Sequence, residues 1–355
     1  MKFLNVKNLP KSLPPTPYDE KDSPIWYEAY ERCIAGEARV AQSDESRARF
    51  IHLCGHLIVE APSDDGRTYM CNLILNMCKQ DDALALLGMR LFHFVLQRMI
   101  RINKADNDWG YVILPGLLIS KEQNPTLYSE VTKRSALYCE ISKAFERDEY
   151  RYRMLGLRPE EMGEYIETSY LEIVRLIPPY SNVTLLDTSE LEIIKDNWTG
   201  TEGEEQELKL LEFIKGYGGF EMEPLIPPAN DTAHTPLSNA LAIAQFEILP
   251  TFGAMIIWLE PVSIQQDSQT YHVYGRNDFG CPSLNMRAVD YVTEIRSKDT
   301  ERAYELPDPR YIALHAAFSR TLHKSGMWSD KGQVGPQASV LYDSLAAVAG
   351  ERRNV

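Results

Sequence analysis

The chain has 355 residues, 44% of them hydrophobic and 25% charged, enough apolar material for at least one sizeable core. A formal net charge of -14 repels phosphate backbones unless the basic residues gather on one face, and the sequence shows no such face, so nucleic acid is disfavoured as a partner. Apolar runs such as Ala83 to Leu87 are broken by charge well before the roughly 20 residues a membrane span needs, and Lys2, Lys7 and Lys11 stand among prolines where a secretory signal needs an apolar core. The expectation is a soluble, intracellular protein, cytoplasmic or nuclear, with no membrane partner.

In chain order, residues 1–22 hold Pro10, Pro14, Pro15 and Pro17 among lysines and polar residues, the composition of a flexible arm or an extended clamp. From Pro24 to Ile102 the pattern is helical, and residues 23–106 are expected to form an α-helical module. Ser43, followed by Asp44 and Glu45, suits the cap of a helix that carries Phe50, Leu53, Leu57 and Ile58 inward and ends at Pro62. A second helix starts after Ser63-Asp64-Asp65. A third runs from about Asp82 to Arg101, with Leu84, Leu87, Leu91, Phe94 and Val95 at helical spacing.

Gly110, Pro115, Gly116 and Pro125 mark residues 107–128 as a linker, and a charged helix follows from about Ser129 to Glu149. The chain then changes to short apolar runs separated by turn residues, of which Tyr170 to Ile177, Ala254 to Leu259 and Tyr271 to Tyr274 read as strands. A helix over Glu205 to Ile214 intervenes, its acidic start from Glu202 to Glu207 being a solvated face. Pro307-Asp308-Pro309 opens a last helix with Tyr311, Leu314, Phe318 and Leu322 on one stripe, stopped at Ser325-Gly326. Helices followed by mixed elements define an α+β chain, with residues 129–355 as its second domain.

Cys33, Cys54, Cys71, Cys78, Cys139 and Cys281 form no CxxC pair, which argues for buried thiols and against a disulfide framework or a zinc ribbon. There is no GxGxxG, GxxxxGK[ST], GxSxG or HExxH, so no cofactor is expected.

The second domain carries an ordered series of segments. Arg147-Asp148-Glu149-Tyr150-Arg151-Tyr152-Arg153-Met154-Leu155-Gly156 comes first, then Val174-Arg175-Leu176-Ile177-Pro178. Ser238-Asn239-Ala240-Leu241-Ala242-Ile243 follows, and then Phe252-Gly253 with Trp258-Leu259-Glu260-Pro261. Tyr271-His272-Val273 and the stretch from Leu314-His315 to His323-Lys324-Ser325-Gly326 complete it. This series resembles the HNH endonuclease-like proteins widespread in fungi. The resemblance covers roughly half of the chain, or more if Ala61 to Arg67 belongs to the helical region that precedes this domain in some members. It implies a ββα-type domain followed by a C-terminal helix.

In that family the first strand carries a histidine that serves as general base, a later histidine on the short helix holds the metal, and an asparagine orients that machinery from the intervening loop. Here the base position is Arg175, whose guanidinium stays protonated and accepts no proton. The metal-ligand position falls near Leu249, which offers no lone pair, and Tyr152 stands where a supporting cysteine often follows Tyr-Arg. Only Asn239 survives, so no metal site is expected.

Each candidate has a structural reading beside the functional one. Arg175 either binds an anion at the former site or pairs with an acid such as Glu172. His234 either replaces a lost group or is an exposed loop histidine. His52 and His56 are spaced to grip zinc, with Cys54 between them on another face, but lack a third ligand and read as a structural pair. His315 and His323 read as packing residues, and Asp81-Asp82 as the acidic start of a helix.

Two functions follow, ahead of a third in which residual nuclease activity uses substituted ligands such as His234 plus local carboxylates. In the first, the scaffold is kept as a non-nuclease binding module. In the second, the emptied cleft is an apolar pocket walled by Tyr152, Met154, Leu249 and Trp258, with Arg175, Asn239 and His234 as catalytic groups acting on a hydrophobic small molecule, as a cyclase or isomerase of a biosynthetic pathway would.

Overall fold

The computed structural model describes residues 2–4, 12–77, 80–96, 99, 171–177, 210–220, 237–244, 252–253, 255–265, 268–276, 292–296 and 305–327. The expected linker at 107–128 and the charged helix after it lie outside these residues.

Four helices open the fold. α1 (Pro24–Val40) begins on a proline, whose missing N–H is one the first turn has no partner for anyway. α2 (Glu45–Val59) is capped by Asp44, which accepts the Arg47 N–H at 3.0 Å. Ser43 instead donates its hydroxyl back to the Val40 carbonyl at 3.2 Å and closes α1, so the cap lies one residue later than expected.

α3 (Asp64–Met77) starts where Ser63 Oγ accepts the Gly66 N–H at 3.1 Å. α4 (Asp81–Arg90) carries both of its aspartates in the first turn, Asp81 bonded to Arg39 at 2.6 and 2.8 Å and Asp82 to Arg47 at 3.1 Å. The apolar stripe beyond it continues as a π-helix over Leu91–Leu96.

Two β-sheets follow. β2 (Leu171–Arg175) pairs antiparallel with β3 (Ala240–Ala244), from Leu171 opposite Ala244 to Arg175 opposite Ala240. In the other sheet β5 (Ser268–Arg276) is central. β4 (Ile257–Ile264) lies antiparallel on one side of it. The other side is shared by β1 (Lys2–Leu4), parallel to Tyr274–Arg276, and β6 (Val292–Arg296), antiparallel to Ser268–His272. Pro261 sits at a register shift in β4, a position where its missing N–H costs no ladder bond.

α5 (Leu210–Gly218) and α6 (Pro309–Lys324) join the halves. Phe213 stacks on Tyr217 at 5.2 Å, and Tyr217 on Phe318 at 5.6 Å, while the Tyr217 hydroxyl donates to the Leu57 carbonyl at 2.9 Å. Buried side chains from α1 to α6, β4 and β5 therefore form one continuous core. Two glycines set how closely helices approach. A Cβ at Gly88 would lie 2.1 Å from the Phe50 carbonyl oxygen, and one at Gly66 2.0 Å from that of Tyr217.

The α+β class stands, and β1, β3 and β6 were not anticipated. β1 is three residues long, and Ala240–Ala244 is built of alanine, leucine and isoleucine, which become a strand only through pairing with β2. That pairing places the second half of the expected asparagine loop in a sheet. β4 begins at Ile257 and runs to Ile264, because Met255 takes a left-handed φ of 59° and turns the chain just before it. The arm is a clamp from Ser12 onward, with Leu13 buried and the Tyr18 ring edge-on to Trp26 at 5.7 Å. Among the described residues no helix is long and apolar enough to cross a membrane.

Candidate functional site

Asn239 ends a short 3₁₀ turn, Leu237–Asn239, directly before β3, and is 3% exposed. Its Oδ1 accepts the Ile177 N–H at 2.8 Å, and its Nδ2 donates to the Ile177 carbonyl at 2.7 Å. Its own carbonyl accepts the Leu176 N–H at 3.0 Å. One residue thus satisfies three main-chain groups of the segment that leaves β2 after Arg175. The same turn is tied to α6, since the Ser238 carbonyl accepts the Asp308 N–H at 2.7 Å and Asp308 caps that helix through the Arg310 N–H at 2.8 Å. Asn239→Ala leaves the Ile177 N–H and carbonyl buried without partners. It is expected to cost about 1–3 kcal/mol of unfolding free energy, read from the urea midpoint.

Of the other expected site residues, Arg175 is the last residue of β2, in register with Ala240. Tyr152, Met154, His234 and Leu249 lie outside the described residues. Trp258, expected as a pocket wall, is on β4 in the other sheet and is 2% exposed. Its ring packs on Tyr274 at 6.0 Å and on His323 at 5.6 Å, and its Nε1 donates to Glu260 at 2.8 Å. This is a filled core position.

His315 and His323 act as expected of packing residues. Their Nε2 atoms donate to the carbonyls of Phe252 at 3.1 Å and Met255 at 2.8 Å, so two turns of α6 hold the strained turn at Met255 in place. Burial lowers the His315 pKa to about 4, against a smaller raising effect of the Phe252 carbonyl.

A second constellation joins the expected structural pair His52 and His56 to Glu37, which the sequence did not single out. Glu37 of α1 and His52 and His56 of α2 form a row that is 6%, 3% and 5% exposed. Glu37 Oε1 lies 2.7 Å from His52 Nδ1, and His52 Nε2 lies 3.0 Å from His56 Nε2. The carboxylate faces a donor, the Nδ1–H of His52, and the two Nε2 atoms share one hydrogen bond. His56 Nδ1 has no partner among the described residues. Burial, then His52 and Lys324, lower the His56 pKa to about 3, which keeps its ring neutral.

One turn further along α2, Glu60 accepts from Arg320 Nε at 2.6 Å and from Lys324 at 2.6 Å. Arg320 also reaches Glu260 at 2.6 Å. Burial alone would lower the Arg320 pKa, but the carboxylates of Glu260 and Glu60 outweigh it and raise it. The stripe His52, His56, Glu60 at four-residue spacing, matched by Arg320 and Lys324 on α6, was the available sequence signal.

Neither constellation is arranged as a metal centre. Among the described residues no three His, Cys, Asp or Glu side chains gather as one, and His52 and His56 turn their Nε2 atoms on each other. Cys33, Cys54 and Cys71 are buried and outside any disulfide, with the Cys71 thiol pushed up to about 12 by burial. No family model matches the chain, and neither a curated protein nor a solved structure matches it.

Proposed function

We propose that the chain is a degenerate member of the HNH endonuclease-like family of fungi, in which the two-stranded sheet of β2 and β3 survives as a binding scaffold and metal-dependent hydrolysis is lost. The observation that carries this reading is the clamp of Asn239 on Ile177 at the end of that two-stranded sheet where Arg175 pairs with Ala240. An asparagine that fixes the main chain next to the first strand does what the family's asparagine does for its site. A guanidinium at the strand end removes the general base and repels a divalent cation. The net charge of -14 points the scaffold away from DNA.

The test is to incubate the full chain with single- and double-stranded DNA in Mg²⁺, Mn²⁺ or Zn²⁺, with a chelated control. No cleavage above the control is expected, and metal-dependent cleavage that disappears on chelation overturns the reading. A parallel screen against hydrophobic small molecules, with Arg175→Ala for comparison, separates the two non-nuclease roles. Turnover of a bound compound would favour a cyclase or isomerase over a binding module.

A further inference from the structure

The N-terminal segment seals the row of Glu37, His52 and His56. Leu13 donates its backbone N–H to Glu37 Oε2 at 2.8 Å, and its buried side chain rests on Gly55, between the two histidines in α2. A Cβ at Gly55 would lie 2.5 Å from both Leu13 methyl carbons, so glycine is what makes room for the seal. Tyr18 is the fixed end of the segment, its ring edge-on to Trp26 at 5.7 Å and to Tyr30 at 5.9 Å and its hydroxyl 3.4 Å from the Ile58 carbonyl. Between it and Leu13 the Pro14 carbonyl accepts the Tyr30 hydroxyl at 3.2 Å, while Ser12, Pro14, Pro15 and Pro17 are exposed. A stretch anchored by so few buried apolar contacts opens at a lower free energy than the helices beneath it.

Beneath it lies an arrangement that stability alone does not account for. A carboxylate and two imidazoles are withdrawn from water, where apolar residues of similar volume would serve the core as well, and His56 Nδ1 has no partner among the described residues. We propose that residues 12–17 form a detachable strap, fixed at Tyr18, whose release opens this carboxylate-oriented imidazole pair to solvent, making the segment a cover over an acid–base group. On release Glu37 loses the Leu13 N–H and keeps His52, so the pair stays oriented as it becomes accessible. The inference is independent of the HNH-like reading.

Native-state hydrogen exchange on the full wild-type chain tests it without any substitution. The Leu13 amide is expected to exchange at least about 100-fold faster than the slowest amides of α2, and equal rates overturn the proposal. Diethyl pyrocarbonate labelling of Leu13→Gly gives a second readout, with His315 and His323 as internal controls. His52 and His56 are expected to label about tenfold faster than in wild type while the controls stay protected. Continued protection of His52 and His56 in the folded variant, or all four histidines labelling together, also overturns it.

Discussion

Glu37→Ala is expected to lower the unfolding free energy by about 3–5 kcal/mol, the cost of stripping one partner from a buried, hydrogen-bonded polar pair. Two donors lose their acceptor at once, His52 Nδ1 and the Leu13 N–H, both buried while the segment is closed. Glu37→Gln separates the two contributions. A glutamine oxygen still accepts from one donor, but its amide nitrogen then faces the other, donor against donor, so an intermediate loss is expected. Urea titration reads both variants as a lower midpoint at unchanged slope. A loss below about 1 kcal/mol for the alanine variant would mean that the carboxylate does not hold the row together.

Acidification from pH 7 to pH 5 is expected to remove about 4 kcal/mol of stability through His56 and His315 alone. At pH 7 both rings are largely neutral whether the chain is folded or not. Below the ordinary histidine value of 6.5 the unfolded chain takes up a proton on each, whereas the folded chain refuses them until about 3 and about 4 respectively. The unfolded state therefore binds nearly two more protons, and stability falls with pH by about 2–3 kcal/mol per unit around pH 5–6. His315→Gln retains a donor for the Phe252 carbonyl and has nothing to protonate, so its slope should be about half that of wild type. Urea midpoints that stay flat from pH 7 to pH 5 would contradict the buried, neutral state of both rings.

Those two histidines also mark what one-dimensional reading reaches. Helical spacing and punctuation placed α2, α3 and α6 within a few residues, because Asp44, Ser63 and Pro309 act on their own neighbours in the chain. The packing roles of His315 and His323 were likewise legible from their stripe on α6. β1 and β3 were not, since Lys2–Leu4 and Ala240–Ala244 hold their conformation through partners far away in sequence. Asn239 stood out in the sequence, although the object of its clamp, Ile177, lies 62 positions away and no local pattern pointed to it. Glu37 was missed for the same reason: nothing local distinguishes it from the other acids of α1 until His52 is brought against it.

The contact between Arg320 and Glu60 spans 260 positions. During synthesis, α2 therefore emerges long before the helix that covers it, an interval on the order of tens of seconds at ordinary translation rates. Through that wait its future interior face carries His52, His56 and Glu60 instead of an unbroken apolar strip. Groups that burden the finished core give the nascent chain a wettable face, which lowers its tendency to associate with other chains until α6 arrives.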